Sequence, residues 1–166
     1  THAREITAIT NQWVNSYKRL VVGRSLSGAT WAPAFISYGD NNRTSMIRIP
    51  FGRVELRLTD SCANPYLASA AAIAAGLDGI DRKLEPGEPQ HFNHYTATPE
   101  ELTAKGIKVL PQSLHEALLA LEADPLFAER LGRPFIEEFI RLKRMEWVEY
   151  SRHVSDWEVS RYLEFF

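Results

Sequence analysis

The strongest constraint on how this chain can fold is a six-residue alternation, Arg53-Val54-Glu55-Leu56-Arg57-Leu58. Successive side chains of a strand point to opposite faces. Val54, Leu56 and Leu58 therefore share one face, and Arg53, Glu55 and Arg57 share the other. The carboxylate lies between two guanidiniums, each about 7 Å away along the strand. Arginine grips a phosphate or carboxylate through two parallel N–H donors, and a glutamate can hold a hard cation such as Mg²⁺. Such a face suits a site that neutralises a metal–nucleotide and an acidic substrate together. A solvated strand face with paired charges is the plainer reading of the segment taken alone.

The surrounding pattern predicts an α+β fold: an antiparallel sheet segment backed by helices, with a helical C-terminal half. Residues 2–11 read as a helix with Ile6 and Ile9 on one side, and Val14 to Val22 as extended chain. Residues 23–28 read as a Gly/Ser-rich loop, Trp31 to Tyr38 as a strand, and Gly39-Asp40-Asn41-Asn42 as a turn. Thr44 to Ile49 and Arg53 to Leu58 read as an antiparallel pair joined by Pro50-Phe51-Gly52. Asn64-Pro65 opens a helix to Leu77, apolar on every side and so expected to be buried, with Gly76 and Gly79 supplying its end. Residues 85–99, with three prolines, read as an irregular excursion. Ser113 with Glu116 forms a capping box, and Asp124-Pro125 starts a short helix. Pro134 to His153 reads as a long amphipathic helix with Phe135, Phe139, Leu142 and Trp147 inward, followed by a last helix from Ser155 to Leu163.

Bulk properties exclude several function classes. The net charge of −2 predicts no broad attraction to nucleic acid or to an anionic membrane, so anions must be bound by clustered arginines. One cysteine, Cys62, permits no intrachain disulfide, fits a reducing compartment and is expected to be buried and inert. The most apolar stretch, Leu67 to Leu77, is far shorter than the roughly 20 residues that span a bilayer. No charged start precedes an apolar run, so a soluble cytoplasmic chain is expected. The first residue is not Met, and Thr1 to Ile6 already reads as helix interior, which suggests a fragment.

The ordered segments Asn15-Ser16-Tyr17-Lys18-Arg19-Leu20, Asn41-Asn42-Arg43-Thr44-Ser45-Met46-Ile47-Arg48-Ile49-Pro50 and Asp60-Ser61-Cys62-Ala63-Asn64-Pro65-Tyr66 resemble the C-terminal half of the glutamine synthetase catalytic domain. The resemblance continues through Ala75-Gly76-Leu77-Asp78-Gly79-Ile80 and Leu110-Pro111-Gln112-Ser113-Leu114 to Lys143-Arg144-Met145-Glu146-Trp147 and Val154-Ser155-Asp156-Trp157-Glu158. It covers nearly all of residues 1–166 and implies a β-grasp domain and a first half of the catalytic domain outside this chain, which alone should not catalyse. The resemblance implies a barrel-like catalytic domain in a homo-oligomeric ring, a dodecamer, with active sites between subunits. It implies an ATP-dependent ligase that joins ammonia or an amine to glutamate through γ-glutamyl phosphate, with Mg²⁺ or Mn²⁺. On the matching positions, Glu55 is the metal-binding glutamate, and Arg19 and Arg57 bind glutamate. Arg43 lies at the transferred phosphoryl group, a catalytic place, and Arg43, Arg48 and Arg53 bind the nucleotide. Joining a carboxylate to a phosphate brings anions together, and fixed cations offset that repulsion. Strand alternation would put Arg43 and Arg48 on opposite faces, so a bulge or twist is expected between them.

One departure from the family pattern is informative. Ammonia-using members carry Pro-Gly-Tyr-Glu-Ala-Pro after the Lys-Arg-Leu motif, and that Glu helps to deprotonate ammonium. Residues 22–33 of this chain contain no acidic residue, and Trp31 is available as a wall or cation–π partner. This is similar to the type III-like branch that includes γ-glutamylmethylamide synthetases, and it implies a small alkylamine as acceptor. The rival reading is a non-catalytic homologue that acts by assembly or regulation; retention of Glu55 and Arg57 speaks against it. His91 and His94 have a chelating spacing but stand in a Pro-rich loop without a nearby Cys, which reads as a solvated loop. His2 and His153 read as helix-end residues.

Overall fold

The computed structural model describes residues 1–22 and 32–165. Four short strands form one open sheet: β1 (Phe35–Asp40), β2 (Ser45–Ile49), β3 (Glu55–Leu56) and β4 (Lys108–Val109), in the order β3-β2-β1-β4. The helices are α1 (Ala3–Thr10), α2 (Pro65–Asp81), α3 (Pro99–Ala104), α4 (Leu114–Ala123), α5 (Pro125–Leu131), α6 (Arg133–Arg152) and α7 (Asp156–Tyr162). The α+β class and the helical C-terminal half are as expected. The sheet itself is mixed. β2 and β3 pair antiparallel, with Ile47 opposite Leu56 and Arg48 opposite Glu55. β1 and β2 run parallel, with a register shift between Phe35 and Tyr38. A short Asn-rich link ordinarily signals a hairpin, so alternation and turn residues alone pointed to antiparallel neighbours.

Pro50 to Gly52 makes the predicted turn, and Gly52 has φ +80°, a value that L side chains avoid. Gly39 serves a different need. A Cβ there would lie 2.2 Å from the Gln90 carbonyl oxygen, so β1 passes directly against the excursion of residues 85–98.

The core forms where α1 meets α4 and where α6 covers α4 and α5. Ile6 and Ile9 pack with Leu114, Leu118, Leu121, Phe127, Ile136 and Ile140, while Leu20, Met46, Leu58 and Leu110 carry the core to the sheet. α6 turns Ile136 and Ile140 inward; Phe139 and Trp147 are partly buried against the core, whereas Phe135 and Leu142 are exposed. The expected inward stripe was thus displaced by about a third of a turn.

Residues 14–18 correct another expectation. Val14–Lys18 is a 3₁₀ helix and not extended chain. Ser16 N–H donates to the Trp13 carbonyl and Leu20 N–H to the Tyr17 carbonyl, which places Tyr17 and Leu20 inward at a spacing of three. The β-branched valines favoured a strand on propensity, and burial of this pair prevailed.

α2 is longer than predicted and much less covered. Gly76 and Gly79 lie inside it; Asn64 caps it by accepting from Tyr66 and Leu67 N–H. Only Ala71 and Ala74 are buried, and Ile73, Leu77 and Ile80 face outward. Ser113 caps α4, but the Glu116 carboxylate accepts from Gln112 N–H and from the Ser113 hydroxyl, not from Ser113 N–H, so the capping box is incomplete. Ser155 and Glu158 do complete a capping box on α7. No described helix is long and apolar enough to cross a membrane.

His2 is no mere helix-end residue. It is buried, with Nδ1 2.7 Å from Asp124 and Nε2 2.8 Å from Asp78, so it joins the start of α1 to α2 and to the cap of α5. Cys62 is exposed.

Phe127 is fully buried against this core, and its ring meets His2 edge-on. Phe127→Ala is therefore expected to cost about 3–5 kcal/mol in denaturant unfolding, whereas Leu119→Ala on the outer face of α4 should stay within about 0.5 kcal/mol. Equal losses for the two would contradict this assignment of the core.

Candidate functional site

The predicted charged face exists. The cross-strand register sets Arg48 directly opposite Glu55, and Arg48 Nη1 donates to Glu55 Oε2 at 2.9 Å. Arg53, on the link between β2 and β3, donates from Nε and Nη2 to Glu55 Oε1 at 2.9 and 2.7 Å. Both carboxylate oxygens are thus held by guanidinium. These hydrogen bonds, from Arg48 first and then Arg53, hold the Glu55 carboxyl below the usual carboxylate range.

Arg57 follows two residues later on the same face. Its N–H continues the strand pairing to the Met46 carbonyl, and its guanidinium donates to the Arg43 carbonyl. Burial lowers the pKa of Arg57, and the positive charges of Arg48 and Arg43 lower it further, while Glu55 and Tyr95 act the other way. Arg43, Arg48, Arg53, Glu55 and Arg57 therefore form one electrostatic group, four guanidiniums about one carboxylate. Such a group has positive charge to spare for a polyanion. Arg53 is mostly exposed, while Arg48 and Glu55 are largely covered, at 16% and 26% side-chain exposure. The apolar face is less regular: Leu58 is fully buried and Leu56 partly so, but Val54 is exposed.

Arg43 escapes the alternation problem because it precedes β2, in the turn of residues 41–44. No bulge is needed between it and Arg48 in β2, since strand parity does not govern a turn residue. Arg19 stands apart from this group in its bonding. Its Nη2 donates to Asn11 Oδ1 at 3.0 Å and to the Leu58 carbonyl at 2.8 Å, next to Arg57 in the chain. Arg19 Nε is buried without a hydrogen-bond partner.

The turn brings in residues that the sequence reading took only as turn or loop. Asn41 Oδ1 accepts from Arg48 Nε at 3.0 Å. Asn42 Nδ2 donates to the Gln90 and Phe92 carbonyls at 2.7 and 3.0 Å. Thr44 donates from N–H and Oγ1 to Asn42 Oδ1, and its Oγ1 lies 2.5 Å from His94 Nδ1. His94 is not a solvated loop residue: it is 1% exposed and packed on Phe35 and Phe92. His91 is exposed, and the two do not chelate. A buried histidine with asparagine and threonine neighbours can be suspected from sequence only once the long-range pairing is known.

Glu55 alone does not make a divalent-cation site. Hard cations take about six oxygen ligands, and both Glu55 oxygens already accept from arginine. Among the described residues, the one set of His, Cys, Asp or Glu side chains close enough to share an ion is His2, Glu5 and Asp124, which does not include Glu55. A cleft of about 1380 Å³ floored by Leu121, Ile136 and Ile140 lies between α4, α5 and α6 and touches none of the arginine group. Trp31 and the acid-free loop around it lie outside the described residues.

The chain is similar to known proteins over nearly its whole length. Residues 1–162 match the family described as glutamine synthetase, catalytic domain. A glutamate–methylamine ligase of Methyloversatilis universalis is 64% identical over 165 residues, 99% of this chain and 37% of that protein. A glutamine synthetase of Halobacterium salinarum is 45% identical over 170 residues, 99% of this chain and 36% of its own. Among solved structures, a GmaS/ADP complex superposes with a TM-score of 0.86 at 46% identity, covering 98% of this chain and 37% of that one. This chain thus spans little more than a third of the length of the relatives it matches.

Burial pushes the His94 imidazole down to about 4 from 6.5. The unfolded chain therefore binds a proton between these values that the folded chain refuses. Stability from this source is complete above pH 6.5 and is lost as pH falls toward 4. A pH series of denaturant unfolding should show a slope lower by about 1.4 kcal/mol per pH unit in this window for His94→Asn than for the unsubstituted protein. An unchanged slope would mean that His94 is not desolvated.

Proposed function

The chain belongs to the glutamine synthetase family, and from that premise we propose that the whole protein is an ATP-dependent ligase that joins an amine to the γ-carboxylate of glutamate. In the proposed sequence, a γ-carboxylate oxygen attacks the γ-phosphorus of ATP and ADP departs, leaving γ-glutamyl phosphate. The neutral amine then attacks the acyl carbon, phosphate leaves, and one amine proton is given up as the amide forms. Both anionic reactants must approach each other, and the surplus of guanidinium about Glu55 supports that chemistry.

Residue roles follow the family motif. Arg57 and Arg19 grip glutamate, Arg43 faces the transferred phosphoryl group, and Arg48 and Arg53 meet the nucleotide phosphates. Arg48 and Arg53 now pair with Glu55. In this reading, an arriving polyphosphate draws them away and frees Glu55 as one ligand of Mg²⁺ or Mn²⁺. The cation supplies charge neutralisation at the phosphates. Its other ligands would come from the part of the relatives' length that this chain does not span, as would the rest of the ring-shaped homo-oligomer.

The observation that carries the choice of acceptor is the 64% identity to a glutamate–methylamine ligase, against 45% to glutamine synthetases. It agrees with the acid-free stretch of residues 22–33, which offers no carboxylate to hold ammonium. We therefore take a small alkylamine as acceptor, with ATP and glutamate as co-substrates.

Steady-state assays on the full-length protein test this. Glutamate-dependent ADP release should show kcat/KM at least about tenfold higher with methylamine than with ammonia. A preference for ammonia would make the protein a glutamine synthetase in the strict sense. No amine- or ammonia-dependent ADP release would make it a non-catalytic homologue.

A further inference from the structure

The turn of residues 41–44 is the meeting point of the arginine group. Its first residue holds Arg48, and its third offers a carbonyl to Arg57 and bears Arg43 itself. From β1 the Gly39 carbonyl accepts from Asn42 N–H at 3.5 Å, but among the described residues the side chains of the remaining two turn residues, Asn42 and Thr44, are not bonded to β1 or β2. They are fixed by the excursion of residues 85–98, a segment without helix or strand that the proposed chemistry does not use.

The fixing bonds form one directional chain. Asn42 spends both amide N–H groups on the Gln90 and Phe92 carbonyls, so its Oδ1 must face Thr44. Thr44 Oγ1 donates its single proton to Asn42 Oδ1 at 2.7 Å. With the proton on the shorter of its two donor contacts and not on the Phe92 carbonyl at 3.5 Å, Oγ1 accepts from His94 N–H at 3.3 Å and from the ring at 2.5 Å. That requires the proton of a neutral His94 ring to sit on Nδ1. Nε2 is buried without a partner, consistent with a bare lone pair. His94 is itself locked, between Phe35 of β1 at 5.5 Å and Phe92 at 4.8 Å.

We propose that His94 is a positioning residue for Arg43, acting through Thr44 and Asn42 to hold the turn that aims the guanidinium at the phosphoryl group in transfer. The inference rests on the role given to Arg43 above. Arg43 is exposed, and among the described residues its side chain makes no hydrogen bond or ion pair, so its aim depends on the backbone that carries it. The anchor comes from 50 residues further along the chain, which makes the turn's geometry a tertiary property. Positioning matters chiefly where charge is transferred, because a misplacement of about 1 Å can cost on the order of a hundredfold in rate.

The test uses the full-length protein and four variants. His94→Ala and Thr44→Val each cut the chain of bonds; His94→Asn and Thr44→Ser each keep a donor or hydroxyl at the same place. Both disruptive variants should lower kcat at least about tenfold while KM for glutamate and ATP moves less than about twofold. Both conservative variants should recover most of the loss. Arg43→Gln is the reference for the underlying role. If Arg43→Gln retains kcat, the role assigned to Arg43 fails. If Arg43→Gln loses kcat but His94→Ala and Thr44→Val do not, the positioning role fails while the ligase reading stands. Should His94→Ala not fold, the comparison of Thr44→Val with Thr44→Ser decides alone. A loss that the conservative variants do not recover would reduce His94 to a packing residue and overturn the proposal.

Discussion

The site depends on a single anion among cations. Arg43, Arg48, Arg53 and Arg57 could not gather on one short sheet edge without Glu55 between them. Like charges crowded together in a partly dry setting repel by on the order of 1 kcal/mol or more per pair. Glu55 offsets this by accepting from two guanidiniums at once, at 2.7 to 2.9 Å. The cross-strand pairing of Arg48 with Glu55 makes the arrangement a consequence of register, since a slip by one residue would send every charge to the other face. The register is in turn held by Leu58, fully buried one residue beyond Arg57.

The arginine group is also a joint between parts of the chain that are distant in sequence. Arg19 comes from the segment after α1 and is tied to the Leu58 carbonyl. Arg43 comes from the link between β1 and β2, and Arg53 from the link between β2 and β3. The excursion of residues 85–98 closes over the first of these links through Gln90, Phe92 and His94. The link between β1 and β2 is short, polar and pinned by side-chain amide and hydroxyl bonds, and the link between β2 and β3 is a short turn held by Arg53 N–H to the Pro50 carbonyl. Loops of this kind on a rigid frame are where binding groups are commonly carried. The helical half supplies the frame: its core of Leu114, Leu118, Leu121 and Phe127 is sealed, and it contributes no charge to the arginine group.

Local signals were legible in the sequence where local physics decides. Asn64-Pro65 and Asp124-Pro125 start helices, and Ser113 caps α4, though the full capping box forms at Ser155 and Glu158 and not there. The Arg53 to Leu58 alternation located the charged face, and the Glu55 pairing with Arg53 lies within it. What could not be read was partnership across distance. The stretch Val14 to Val22 is flanked by β-branched valines, yet Val14–Lys18 coils so that Tyr17 and Leu20 reach the core. α2 is apolar on every side, yet only Ala71 and Ala74 are covered within this chain. His94 stands in a proline-rich segment that suggests solvent, and only its pairing with Thr44, 50 residues away, makes it buried. The parallel course of β1 and β2 likewise could not be read from the short link between them.

The central claim is that Glu55 exchanges its two arginines for a cation when a nucleotide claims those arginines. The dependence of ADP affinity on Mg²⁺ or Mn²⁺ tests it, measured by calorimetry on the full-length protein and on Glu55→Gln. The account predicts that the cation tightens ADP binding at least about tenfold in the unsubstituted protein and less than about twofold in Glu55→Gln. Equal tightening in both would show that Glu55 does no more than hold its arginines together.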